Sequence, residues 1–238
     1  METLVLLAKA PIAGTTKTRL ARERSDKDAL LLSSGFLMDL ADQCARWRGE
    51  RLAVDGNRRV ALYASPDIHD PVLAEVARRA GARLEVQQGD DLGARLRHAF
   101  DREFERGARA VCAIGSDSPT LPLHLLDEAF RALAWERVVL GPTFDGGYWL
   151  VGAQRPAPDL FSGVPWSTSA VCAHTISKLS LLGIQPRLLP FWYDIDEAAD
   201  LERLVWHARA LRSAHPGAVP ATWSALSRIG LVHAKEGE

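Results

Sequence analysis

Residues 3–20 read TLVLLAKAPIAGTTKTRL, and this stretch decides the fold. Thr3–Ala8 reads as a strand on the strength of the short apolar run from Leu4 to Ala8. The run ends in a loop carrying Lys9, Lys17 and Arg19 around Gly14, with small residues between them. A strand that feeds a basic, glycine-containing loop and then a helix is a place where backbone and side-chain donors converge on an anionic group. The spacing is not that of a phosphate loop of the GxxxxGK[ST] type, which would need glycine at Lys9 and lysine at Thr15, nor is it GxGxxG.

Working outward, the same alternation of short apolar runs and amphipathic stretches continues along the chain. Arg59–Ala64, Arg83–Gln87, Ala110–Gly115, Arg137–Gly141, Tyr148–Ala153 and Arg187–Phe191 read as strands. Apolar residues at helical spacing predict helices over Asp28–Trp47, Pro71–Ala80, Asp91–Arg106, Pro122–Trp135, Ser169–Leu182, Glu197–Leu211 and Val219–Ile229. Gly81, Gly107 and Gly183 each follow a helix, where a left-handed cap favours glycine. Strands separated by helices predict βαβ units, and the missing helix between 141 and 148 predicts a hairpin or irregular crossover there. The expectation is an α/β chain with a three-layer α/β/α, Rossmann-like, mixed but mainly parallel sheet. A single domain over 1–238 is expected, with a nucleotide-binding half of about 1–140 and an acceptor-side half from 141. Gln154–Pro165, which holds three prolines, is expected to cross the surface between the halves.

Composition narrows the function. Lys and Arg total 29 against 30 Asp and Glu, a net charge of -1, which argues against a nucleic-acid partner. Hydrophobic residues make up 47% of the 238, too many for a disordered chain. The opening apolar run is too short for a membrane span and follows Glu2 rather than a basic segment. Cys44, Cys112 and Cys172 form no metal-binding or disulfide spacing, which suggests a reducing, cytoplasmic setting. A compact protein acting on a small molecule, with neither nucleic acid nor membrane as partner, is what these features leave.

Four loops that follow strands carry candidate chemistry, because ligands bind open parallel sheets at the carboxyl ends of strands. The first is the basic loop with Lys9, Gly14, Lys17 and Arg19. The second, IGSDSPTL (114–121), frees Asp117 among small residues as a ligand for Mg²⁺ or Mn²⁺, or uses Asp117 or Ser118 as a helix cap. The third, GPTFDGGYWLVG (141–152), makes a turn at Asp145, Gly146 and Gly147 and sets Tyr148 beside it, a combination that can floor a sugar or base pocket. The fourth, WYDIDEAADL (192–201), puts Asp194 and Asp196 on one face of an extended segment, one expected to bind metal and the other to cap the following helix. Asp90 and Asp91 in QQGDDLGARL are expected as caps, with Gly89 and Gly93 allowing close approach of a nucleotide. Ser167 and Thr168 are expected as another cap, with Trp166 as core or pocket wall.

Taken in order, KAPIAGTTKTRL, GDDLGARL, IGSDSPTL, LGPTFDGGYWLVG, PWSTSAV and DIDEAADL resemble the GT-A-fold, nucleotide-diphospho-sugar transferase-like family that includes the glycosyltransferases of arsenosugar biosynthesis. More distantly they are similar to phospholactate and molybdenum-cofactor guanylyltransferases. The resemblance runs from the first strand to about Leu204. It implies that Lys17 and Arg19, with Lys9 near, contact nucleotide phosphates, and that Asp117 is the metal-binding aspartate. Ser116-Asp117-Ser118 stands where a full DxD would have a first carboxylate as well. It further implies that the DGGY block meets the transferred or accepting group and that Asp194 or Asp196 completes the metal site. The implied activity is a metal-dependent transfer from a nucleotide-activated donor. Glycosyl transfer to a small acceptor, with Asp145 as general base, is the first expectation. Nucleotidyl transfer with release of pyrophosphate and a catalytically dead nucleotide-binding protein are the alternatives.

Overall fold

The structure, a computed structural model, describes residues 1–49 and 57–233. Seven strands form one sheet: β1 (Glu2–Lys9), β2 (Arg58–Ser65), β3 (Arg83–Val86), β4 (Ala110–Ile114), β5 (Val138–Pro142), β6 (Tyr148–Gln154) and β7 (Arg187–Leu188). Their order is β3-β2-β1-β4-β6-β5-β7. All neighbours pair in parallel except β6, which runs antiparallel to both β4 and β5. The mixed, mainly parallel sheet expected from the sequence is therefore present, and its irregularity falls at the missing helix. Eight helices accompany it among the described residues: α1 (Thr18–Glu23), α2 (Asp26–Gly49), α3 (Pro71–Ala80), α4 (Leu92–Glu105), α5 (Leu123–Ala132), α6 (Val171–Leu181), α7 (Ala198–Ala214) and α8 (Pro220–Arg228).

The pleat of β1 explains the three layers. Leu4, Leu6 and Ala8 enter one core with Leu37, Trp47, Leu73 and Phe130 from α2, α3 and α5. Val5 and Leu7 enter the opposite core with Leu96, Phe100 and Leu179 from α4 and α6. Each large apolar side chain so buried contributes about 1.5–3 kcal/mol, so a strand apolar on both faces is held from both sides. The Gln154–Pro165 stretch is no surface linker: Leu160, Phe161 and Val164 are all buried, the first two in the second core. Its prolines shape a packed segment, and β5, β6 and β7 continue the same sheet.

Several boundaries differ from the sequence reading. β7 is only two residues long, because it sits at the sheet edge with β5 as its one partner and Pro190 has no N–H to extend the ladder. α5 stops at Ala132 and leaves Trp135 90% exposed in the turn that follows. The basic loop opens into a helix as expected: the six-residue α1, which buries one leucine, Leu20.

The last helices build a third core. Leu20, Leu32 and Phe36 pack against Tyr193, Ile195, Leu204, Trp223 and Leu226. α2 and α8 meet closely at Gly35, where a Cβ would lie 2.9 Å from the Ala221 carbonyl oxygen. Beside it, buried Asp39 accepts hydrogen bonds from Ala221 N (3.0 Å) and Thr222 N (2.7 Å), so one helix caps the start of the other. Burial pushes the Asp39 carboxyl above the usual carboxylate range. Asp39→Ala leaves both N–H groups unsatisfied and is expected to lower stability by about 1–3 kcal/mol in urea unfolding.

Candidate active site

The strand order itself makes the site. β1 lies between β2, reached through α2, and β4, reached from the other edge, so a crevice opens at their carboxyl ends. Because β6 runs antiparallel, with Leu150 opposite Ile114, the turn before it lands at the same edge. An isolated bridge between Thr143 and Trp192 carries the chain after β7 there too. All four loops singled out from the sequence thus meet around one cavity of about 780 Å³.

Lys17 sits at its centre. The loop before it is tied down by Thr16, whose Oγ1 donates to Ala10 O and accepts from Ile12 N, both at 3.0 Å. Lys17 then adopts a left-handed conformation (φ 45°) at the start of α1. Its side chain is only 5% exposed, with Nζ 2.5 Å from both Asp117 Oδ1 and the Ile195 carbonyl oxygen, and 3.9 Å from Asp196 Oδ1. The ammonium also lies 5.3 Å from the centre of the Phe36 ring. Three non-glycine residues have positive φ among the described residues, and two of them, Lys17 and Ser167 (φ 64°), line the cavity. Such conformations cost about 1–3 kcal/mol and are held only where the surroundings impose them.

The capping alternatives for the aspartates do not apply. α5 begins after Pro122 without a side-chain cap, and Ser118 Oγ instead donates to Tyr193 O at 2.9 Å. Asp196 caps nothing: Glu197 and Asp200 form the capping box of α7, and Asp200 Oδ2 accepts from the main-chain N–H of both Asp196 and Glu197. This correction leaves Asp117, Asp194 and Asp196 all on the cavity wall. Asp194 and Asp196 flank fully buried Ile195, so they share the face expected of alternating residues. Burial, and then the negative charges of Asp196, Asp145 and Asp117, push the Asp194 carboxyl up to about 6. Asp196 is raised as well, by burial and by Asp117, although Lys17 opposes the shift. Among the described residues no three acidic, histidine or cysteine side chains form a ready-made metal cage. Four cations and six carboxylates line the cavity, however, so its walls carry excess negative charge.

On the other side, Asp145 Oδ1 accepts from Thr143 Oγ1 (2.5 Å) and Gly147 N (3.0 Å), which fixes the turn and leaves Oδ2 without a hydrogen-bond partner among the described residues. Tyr148 and Trp166 stand edge to face at 6.2 Å and both line the cavity, as does Gly147. Gly14, Gly89, Gly93 and Gly146 do not. Gly93 makes room for the Trp166 indole, Gly89 for Ala94, and Gly146 (φ 90°) for the Ser169 carbonyl, so packing accounts for these three. A Cβ on Gly14 would meet nothing within 4 Å. Asp91 caps α4 through Ala94 N as expected, but Ser167 and Thr168 cap no helix. Thr168 Oγ1 closes a turn between Pro165 O and Ala170 N. Lys9 and Arg19 lie on the wall, Arg19 3.3 Å from Glu197. Sequence reasoning missed Gln87, Arg95 and Thr143, which also line the cavity. Arg95 could have been found: it lies one helical turn after Asp91 in a block already singled out.

The raised Asp194 carboxyl has a measurable sign. An acid whose folded value (about 6) exceeds its reference value (3.8) destabilises the fold fully above about pH 6 and not at all below about pH 4. Asp194→Asn is therefore expected to raise the melting temperature of metal-free protein at pH 7.5, with the gain vanishing near pH 4.

The model of the family described as "Uncharacterized protein conserved in bacteria (DUF2064)" matches residues 48–168. A phosphoenolpyruvate guanylyltransferase from Sphaerobacter thermophilus is 26% identical over 208 residues, covering 86% of this chain and 95% of that protein. A protein of known structure from Desulfovibrio desulfuricans G20, provisionally described as a nucleotide-diphospho-sugar transferase, superposes with a TM-score of 0.75 at 26% identity over 96% of each chain. Glucosyl-3-phosphoglycerate synthase from Mycobacterium tuberculosis, solved with Mn²⁺ and UDP, shares the fold at 13% identity with a TM-score of 0.52, over 98% of this chain and 81% of that one. The fold is thus that of the nucleotide-diphospho-sugar transferases, the GT-A-like class, and the relatives are nucleotide-dependent transferases. With half of its length matched by the family model, the chain belongs to the DUF2064 family.

Proposed function

We propose that the protein is a divalent-metal-dependent transferase that uses a nucleotide donor, and that the group it transfers is the nucleotidyl group. The observation that carries this reading is the convergence of Asp117, Asp194 and Asp196 on the cavity that also holds Lys9, Lys17 and Arg19. A polyphosphate would be repelled by walls with more carboxylates than cations. Divalent cations remove that conflict, since Mg²⁺ takes one or two protein carboxylates and completes its shell with phosphate oxygens and water. The residues fit such an ion: Asp194 has no cationic partner among the described residues, and its carboxyl is raised by burial and then by the negative charges of Asp196, Asp145 and Asp117. Asp117 with Asp194 and Asp196 would hold the metal, which when bound neutralises charge on the transferring phosphoryl group and its leaving group.

In this reading Lys9, Lys17 and Arg19 orient the phosphates. An acceptor oxygen attacks the α-phosphorus, the bond to the bridging oxygen breaks, and pyrophosphate leaves with the electron pair. Carboxylates on two separated segments, one after β4 and one after β7, would hold the metal between them beside the phosphates. An acceptor that is already an anion needs no base. The guanylyltransferase of Sphaerobacter thermophilus supports the same choice. Glycosyl transfer is the second reading, favoured by Asp145: its Oδ2, without a hydrogen-bond partner among the described residues, stands ready to take a proton from an acceptor hydroxyl, in which case a nucleoside diphosphate leaves.

Phosphorus NMR of the purified protein with Mg²⁺, nucleoside triphosphates and small phosphorylated or carboxylated acceptors separates the two. Pyrophosphate release is the expected product, and turnover of nucleotide sugars to nucleoside diphosphate would favour the second reading. Asp117→Asn and Lys17→Gln are each expected to lower kcat/KM by about 10²-fold or more, and wild-type turnover after removal of Mg²⁺ with EDTA would contradict both readings.

A further inference from the structure

The two edges of the sheet differ in what they show to water. At the β3 edge Glu85 holds Arg83 and Arg106, each at 2.7 Å, and Val86 is the large apolar side chain exposed there. Charged pairs of this kind keep an edge solvated. The β7 edge is the opposite. Ten large apolar side chains stand exposed among the described residues, and six of them belong to the segments that build this edge. Trp135 and Phe144 flank β5, Leu181 and Leu182 end α6 before the chain turns to β7, Leu188 is in β7, and Phe191 follows it. Leu181 is 89% exposed and Phe144 74%. The Phe144 and Phe191 rings lie 5.4 Å apart, and Leu188 pairs with Leu140 of β5. Pro186 and Pro190 bracket β7 and have no N–H to offer, so the edge presents side chains rather than a ladder that another strand could extend.

Single apolar side chains on a surface need no explanation, but a group of this size does. At the ordinary areas of these residue types the six expose about 800 Å², which is what one partner contributes to a stable interface of standard size. Trp and Phe are also the types enriched at such contacts. The rim carries both signs: Glu136 and Arg137 are exposed beside Trp135, and Arg187 lies 3.6 Å from Glu128. A face with both signs can meet its own copy across a two-fold axis without repulsion. We propose that the β7 edge is the contact surface between two copies of this chain. The inference goes beyond the transferase reading and does not depend on which group is transferred. Phe144 stands between Thr143 and Asp145, both on the cavity wall, so the second copy braces that wall in each site.

The test is sedimentation velocity of the full chain at micromolar concentration, where a particle of twice the mass of one chain is expected. Trp135→Glu combined with Leu181→Glu sets two carboxylates in the face and is expected to weaken association about thirtyfold or more. Val86→Glu, at the β3 edge, is expected to leave it unchanged. Both substituted side chains are exposed in the single chain, so the double variant is expected to keep its fold, which far-UV circular dichroism records. Should it not, Leu182→Glu alone takes its place. A wild-type chain that stays monomeric overturns the proposal, and so does a dimer that survives the double variant, since its contact lies elsewhere. Co-sedimentation of a monomer with phosphatidylcholine vesicles also overturns it and gives the face to a lipid surface.

Discussion

The buried ammonium of Lys17 is the interaction on which the site depends. A charge taken out of water is costly unless it is paired and hydrogen-bonded. Lys17 meets that demand by drawing together two segments a hundred and more residues away, the Asp117 carboxylate and the Ile195 carbonyl. Ile195 N in turn donates to Asp117 O at 3.0 Å. Three loops are thereby joined at one point, and the aspartates beside that point have little freedom to separate. The same ammonium compensates Asp117 and, more distantly, Asp196, whereas Asp194 has no cationic partner among the described residues.

That arrangement needs support from behind, and the C-terminal helices supply it. Tyr193 is buried in the third core, with its hydroxyl between Thr120 Oγ1 (2.8 Å) and His207 Nδ1 (2.7 Å). The capping box of Glu197 and Asp200 fixes where α7 begins and leaves the preceding aspartates unspent. α8 locks onto α2 through Gly35 and Asp39, and α2 carries the Phe36 ring that faces Lys17. α7 and α8 thus act by packing against the elements that hold the site.

The fold was largely legible in the sequence because its signals are local. The apolar run at Thr3–Ala8, the glycines after helices and the missing helix before Tyr148 each report on a few neighbouring residues, and each was met in the structure. The clustering of the four loops was also legible, since it follows from strands ending at one edge. What could not be read was which of several adjacent polar residues takes a given job. Capping of α7 fell to Glu197 rather than Asp196, and Gly93 serves the Trp166 ring, because long-range packing decides both. Gln87 was invisible for the same reason: its partners are carbonyls on β1 and β2, remote in sequence.

A crystal structure with Mn²⁺ and a nucleoside triphosphate, with anomalous scattering used to locate the metal, tests the central claim most directly. The account predicts a manganese peak ligated by Asp117 and by Asp194 or Asp196, with the phosphates toward Lys9, Lys17 and Arg19. A metal bound elsewhere, or a nucleotide whose phosphates lie away from Lys17, would contradict it.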